Sequence, residues 1–115
     1  MVDFLPYVGV LLMFAIGLLC ILAPNKVADA VGLNTQGGMG VSEIRATYGG
    51  LFTGLSGAAL WFQQAEVFGV LGVGWLCTAA VRTVAVFVDK AVGPVSVGGI
   101  VFEVAMGLAL LSALL

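Results

Sequence analysis

The sequence predicts an all-α fold, a four-transmembrane-helix bundle forming one integral membrane domain over residues 1–115. Of the 115 residues, 62% are hydrophobic and only 9% are charged, which is more apolar than a soluble domain of this size usually is. Mean hydropathy reaches +1.21. The apolar residues gather into four windows, each near the ~20 residues a helix needs to cross a bilayer, with short polar breaks between them.

The first window runs from Phe4 to Ala23 and stops at Pro24-Asn25, because proline has no N–H to continue a helix. It is expected to be a true span rather than a cleaved leader. Asp3 stands where a positive n-region would be, the run is long for an h-region, and Leu19 before Cys20 makes a poor lipobox. The connection from Asn25 to Gly40 is long. Within it, Lys26 to Leu33 fits a short interfacial helix, and the glycines of Asn34 to Gly40 fit a flexible turn. The second window is Val41 to Phe62, and Gln63-Gln64-Ala65-Glu66 is a tight polar turn. The third is Val67 to Val88, closed by Asp89-Lys90 with Gly93-Pro94, and the fourth is Val95 to Leu115.

Orientation follows from Lys and Arg alone. Lys26, Arg45, Arg82 and Lys90 fall on or near the side of the first and third connections, and the opposite side has none. Both termini are therefore expected outside, with the two basic connections in the cytoplasm. So complete an asymmetry also disfavours dual topology.

Four ionisable groups lie within the windows: Glu43, Arg45, Arg82 and Glu103. Such charges are costly in hydrocarbon and usually face the protein interior or a wet cavity. At 1.5 Å per residue, Arg82 lies about 9 Å inside Val88 and Glu103 about 12 Å inside Val95. Their depths match, so pairing across the hairpin is the cheapest way to hold both. Glu43 and Arg45, two residues apart, project to nearly opposite sides of a helix and need different partners. Glu43 is expected to turn toward Arg82, and Arg45 to join the cluster or reach lipid phosphate. Tyr48, Thr78 and Thr83 are candidate hydroxyl partners.

Small residues mark candidate packing faces. In the second window Ser42, Ala46, Gly50, Gly54 and Ala58 recur at every fourth position, beside a second stripe of Arg45, Gly49, Thr53 and Gly57. This helix is expected to be the central one. In the fourth, Gly99, Glu103 and Gly107 share a face. In the third, Gly74, Trp75, Thr78, Arg82 and Asp89 lie along a broad face. Gly72-x-Gly74 lacks the preceding strand of a nucleotide fingerprint. Cys20 and Cys77 sit in apolar runs without CxxC spacing, and the chain has no His, so both are expected to be buried free thiols, with no metal site.

The stretch Glu43-x-Arg45-Ala46-x-Tyr48-Gly49-Gly50, with an Arg in the third span, Asp and Gly-Pro in the next loop and an acid in the fourth, resembles a known family. These are the small four-helix bacterial membrane proteins catalogued as domain of unknown function 4345. The likeness covers nearly the whole chain, although Lys90-Ala91-Val92 separate an Asp and a Gly that are adjacent in the family pattern. It implies four helices with the polar residues toward one side, a bacterial inner membrane, and no activity.

Several function classes lose their footing. No Lys/Arg cluster exists to track nucleic acid, and no nucleophile–base pair is recognisable from spacing, so neither catalysis nor a cofactor is expected. For the quartet, the plain reading is a neutral network that fixes helix register. The functional one is a cytoplasm-facing site for membrane lipid or another amphipathic molecule. An accessory subunit that docks on a membrane-protein partner or forms a homo-oligomer through its glycine faces is the alternative. A small proton-coupled exporter fits less well, because such proteins carry a carboxylate deep in the first helix and Phe4 to Ala23 has no ionisable group.

Overall fold

The structure is a computed structural model that describes residues 4–115; Asp3 and the first residues lie outside the described residues. All regular structure among them is helical. Helix α1 spans Phe4–Leu22 and α2 spans Pro24–Val31. Pro24 serves both, since its missing N–H stops α1 while its fixed φ suits the first position of α2. Gly32, at φ 78°, ends α2, and the Leu33 N–H reaches back to the Ala28 carbonyl at 2.8 Å. That is a Schellman-type cap, in which glycine takes the left-handed position without steric cost.

The next helix starts earlier than the sequence suggests. Helix α3 occupies Gly37–Glu43, so the turn shrinks to the residues between Gly32 and Gly37, and the latter begins the helix at φ 65°. Ile44–Gly50 then form a π segment, followed by α4 over Leu51–Phe62. Glu43 and Leu51 flank the π segment with right-handed helical dihedrals, so the helical backbone continues from Gly37 to Phe62. Helix α5 covers Ala65–Val88 and α6 covers Pro94–Leu111, extended by a 3₁₀ turn at Ser112–Leu114. Ala65 and Glu66, expected in the turn, instead begin α5, where a carboxylate is favoured by the helix dipole. Three helices are long and apolar enough to cross a membrane: Phe4–Leu22, Ala65–Val88 and Pro94–Leu114.

The chain divides into two compact units, one of Val10–Trp61 and one of the chain up to Gly9 with Phe62–Leu115. The second is an antiparallel hairpin of α5 and α6. Glu103, Met106, Gly107 and Leu110 form the buried face of α6, at the three- and four-residue spacing of one helix side. A Cβ on Gly72 would lie 2.9 Å from the Gly107 carbonyl, and one on Gly107 would lie 2.6 Å from Leu76, so the backbones touch there. Gly69 receives Leu114 in the same way. Trp75 meets Phe102 edge to face at 5.9 Å. At the end of the hairpin away from its turn, Tyr7 packs on Phe68 at 5.4 Å and its hydroxyl donates to Gln63.

In the Val10–Trp61 unit, Cys20, Ala28 and Ile44 form a buried cluster joined by Ile16 and Val27. This cluster explains the π segment. Ile44 and Gly49 are both buried, yet five residues are about 1.4 turns of an α-helix and would put them on different sides. The i→i+5 pattern of a π turn returns them to one side. Gly49 then lies against Ile21 and the Gly17 carbonyl, where a Cβ would meet the latter at 3.3 Å.

Candidate functional site

Arg82 and Glu103 form a bidentate pair across the α5–α6 hairpin. The Arg82 Nε–H donates to Glu103 Oε1 at 2.8 Å and an Nη donates to Oε2 at 2.7 Å. Parallel charge-assisted bonds of this kind fix orientation as well as charge. The Glu103 side chain is 6% exposed and that of Arg82 40%, so the carboxylate is the buried member. Gly99, one turn before Glu103, lets this happen: a Cβ there would stand 3.2 Å from Arg82 Nε. The guanidinium thus lies across bare α6 backbone.

The hydroxyls expected around this pair donate elsewhere. Thr78 donates to the Gly74 carbonyl at 2.9 Å and Thr83 to that of Ala79 at 2.8 Å, each four residues back on α5. Cys20 is buried, but Cys77 is exposed and free. The expectation of two buried thiols is corrected at Cys77, which follows Leu76 and is turned about 100° from the residue that touches Gly107.

Glu43, Arg45 and Tyr48 belong to the other unit. All three are exposed. Glu43 accepts from the Thr47 hydroxyl at 3.3 Å on its own helix, and Tyr48 meets Phe52 edge to face at 6.2 Å. Arg45 has no ion-pair or hydrogen-bond partner for its side chain among the described residues.

The two small-residue stripes differ in their surroundings. Gly49 is buried, and Gly57 faces Phe14, whose ring a Cβ would meet at 3.8 Å. Ala46, Gly50 and Gly54 are exposed, and Gly50 and Gly54 have open space where a Cβ would stand. Sequence reasoning missed Gly17, on whose Cα position the Thr53 side chain closes. A Cβ on Gly17 would lie 2.8 Å from the Thr53 backbone nitrogen, and the buried Thr53 hydroxyl has no hydrogen-bond partner among the described residues. It missed Gly72 as a packing residue as well. The register set by Arg82 and Glu103 was the available signal, since following the hairpin inward from that pair leads Gly107 to Leu76 and Gly72.

Residues 3–114 match the family described as Domain of unknown function (DUF4345). The chain belongs to this family. No curated protein and no solved structure matches it. Membership in domain of unknown function 4345 therefore brings no activity to transfer, and the chemistry of this member rests on its own side chains. Its Glu43-x-Arg45-Ala46-x-Tyr48-Gly49-Gly50 stretch coincides with the π segment and the residue before it. π turns often occur at functional positions.

Proposed function

We propose that this is a non-enzymatic integral membrane protein of four spans, with both termini outside a bacterial inner membrane. In this reading Arg82–Glu103 is a structural clamp, and the stretch around Arg45 and Tyr48 binds membrane lipid or another amphipathic molecule. The fourth crossing is supported by the helical continuity of α3, the π segment and α4, which have seven, seven and twelve residues and together exceed α5 in length. The observation that carries the reading is the contrast between the arginines. Arg82 is closed by a carboxylate at 2.7 Å, whereas Arg45 is exposed in the second span with no partner among the described residues. A charge at that position is costly unless something answers it.

Native mass spectrometry of the protein released gently from its own membrane tests this. A small molecule or lipid retained by wild type and lost in Arg45→Gln is expected. Equal retention by a folded Arg45→Gln would refute the assignment.

The open space over Gly50 and Gly54 favours a second reading, an accessory subunit whose second span docks on a membrane-protein partner or on another copy. Leucine at both positions would then abolish a complex seen with wild type. A strictly monomeric wild type in native lipid, with no co-purifying protein, would sink that reading.

A further inference from the structure

Chain direction accounts for the unequal treatment of the two arginines. Each Cα–Cβ bond in a helix tilts toward the N-terminus, so a long side chain reaches most easily that way. Arg45 stands eight residues past Gly37, where its helix begins, about 12 Å along it, and its tilt carries the guanidinium back toward that end. Arg82 stands six residues before the end of α5, about 9 Å, and its tilt carries it away from that end. A cation directed deeper into hydrocarbon needs an internal counter-ion, and Glu103 supplies it. A cation directed outward snorkels to the headgroups.

We infer that Arg45, with Lys26, holds the phosphate of an acidic phospholipid at the start of the second span. This rests on the binding reading above and names its ligand. Lys26 comes from α2, which packs on the π segment through Ala28 and Ile44 in the cluster with Cys20. It stands two residues after Pro24, just past the end of α1 at Leu22, and so at the interfacial end of that span, the level that Arg45 reaches by snorkelling. Both cations are exposed, and neither has an ion pair among the described residues. The acids of this unit leave them available: Glu43 is engaged by Thr47 on its own helix, and Asp29 is exposed on α2. Because Glu43 and Asp29 balance the two cations in formal charge, recognition depends on directed hydrogen bonds, for which the planar guanidinium fork suits a phosphate. Tyr48, exposed and amphipathic, suits the same layer.

The test places the full chain in nanodiscs of phosphatidylcholine and phosphatidylglycerol and counts retained lipids by native mass spectrometry. Wild type is expected to retain phosphatidylglycerol preferentially. Arg45→Gln and Lys26→Gln should each lower that preference about fivefold, as for loss of one cation near an anionic surface. Lys90→Gln, a control in the other basic connection, should leave it unchanged, and helical circular dichroism checks that every variant is folded. An unaltered preference in folded Arg45→Gln overturns the inference. Displacement of the retained lipid by millimolar inorganic phosphate would make this a site for free phosphate and overturn the lipid assignment. Wild type that retains some other native amphiphile without preferring phosphatidylglycerol refutes the inference and leaves the broader binding reading standing. Retention of nothing in either membrane refutes both.

Discussion

Removing one member of the Arg82–Glu103 pair should cost far more than removing both, and by different amounts for the two members. Arg82→Met strands a carboxylate whose side chain is 6% exposed, whereas Glu103→Leu takes the carboxylate away from a guanidinium that is 40% exposed. Breaking a buried pair costs about 3–5 kcal/mol, while replacing both members with apolar groups is often neutral. Polar contacts between membrane helices run lower, averaging about 0.6 kcal/mol, because separated helices find other partners. The lower end of the ion-pair range therefore applies: about 3 kcal/mol for Arg82→Met, about 1–2 kcal/mol for Glu103→Leu after discounting for exposure, and under about 1 kcal/mol for the double variant. Unfolding titrations of the four proteins in mixed detergent micelles give the cycle directly. Two results would refute the reasoning: a double variant as unstable as Arg82→Met, or a Glu103→Leu loss exceeding that of Arg82→Met. The first would make the pair a net source of stability; the second would place the burial on the wrong partner.

The glycines yield a graded series. Gly72→Ala should destabilise the hairpin by about 1–3 kcal/mol, since its Cβ would meet backbone atoms at 2.9 Å, and thermal unfolding reads the loss. Gly74→Ala on the same helix has open space and should gain up to about 1 kcal/mol from helix propensity. Gly17→Ala should loosen the Val10–Trp61 unit, with faster hydrogen exchange around Thr53, because its Cβ would come within 2.8 Å of a backbone nitrogen. Deleting the exposed Ala46 should be tolerated, with little loss of thermal stability. The deletion leaves Ile44 and Gly49 four apart, on one face of an ordinary α-helix. Deleting Leu55 offers no such relief and should unfold the unit.

How much of this could be read from the sequence depends on whether one helix sufficed to decide it. Apolar length located α1, α5 and α6 to within a few residues, because a spanning helix satisfies its own backbone and needs no neighbour to define its bounds. The Arg82–Glu103 pair was legible because rise per residue and an antiparallel turn place two charges at one depth without knowledge of packing. The π segment was not. Its cause is that Ile44 must meet Cys20 and Ala28 while Gly49 meets Ile21, a demand made by other helices. The four-residue stripe from Ser42 to Ala58 assumed α geometry throughout and so ran straight across the change of register. Cys77 shows the same limit, since an apolar run does not say which of its faces a neighbour covers.

Direction along the chain is the remaining sequence signal, and depth alone cannot supply it. On depth, Arg45 and Arg82 are similar cases, about 12 and about 9 Å from the near ends of their helices. What separates them is that Arg45 lies near the N-terminal end of its helix and Arg82 near the C-terminal end of α5. Tilt toward the N-terminus therefore helps one side chain out and drives the other in. On this logic a basic residue in the last turns of a spanning helix needs an acid on a neighbour and a glycine to give it room, as Glu103 and Gly99 do here. One in the first turns remains available to a ligand. Gly99→Val tests the room requirement: its branched side chain would enter the space of Arg82 Nε, 3.2 Å from the Cβ position, and it should cost nearly as much stability as Arg82→Met. If Gly99→Val is silent, the guanidinium does not depend on bare backbone beneath it, and chain direction no longer explains why α6 carries a glycine at that turn.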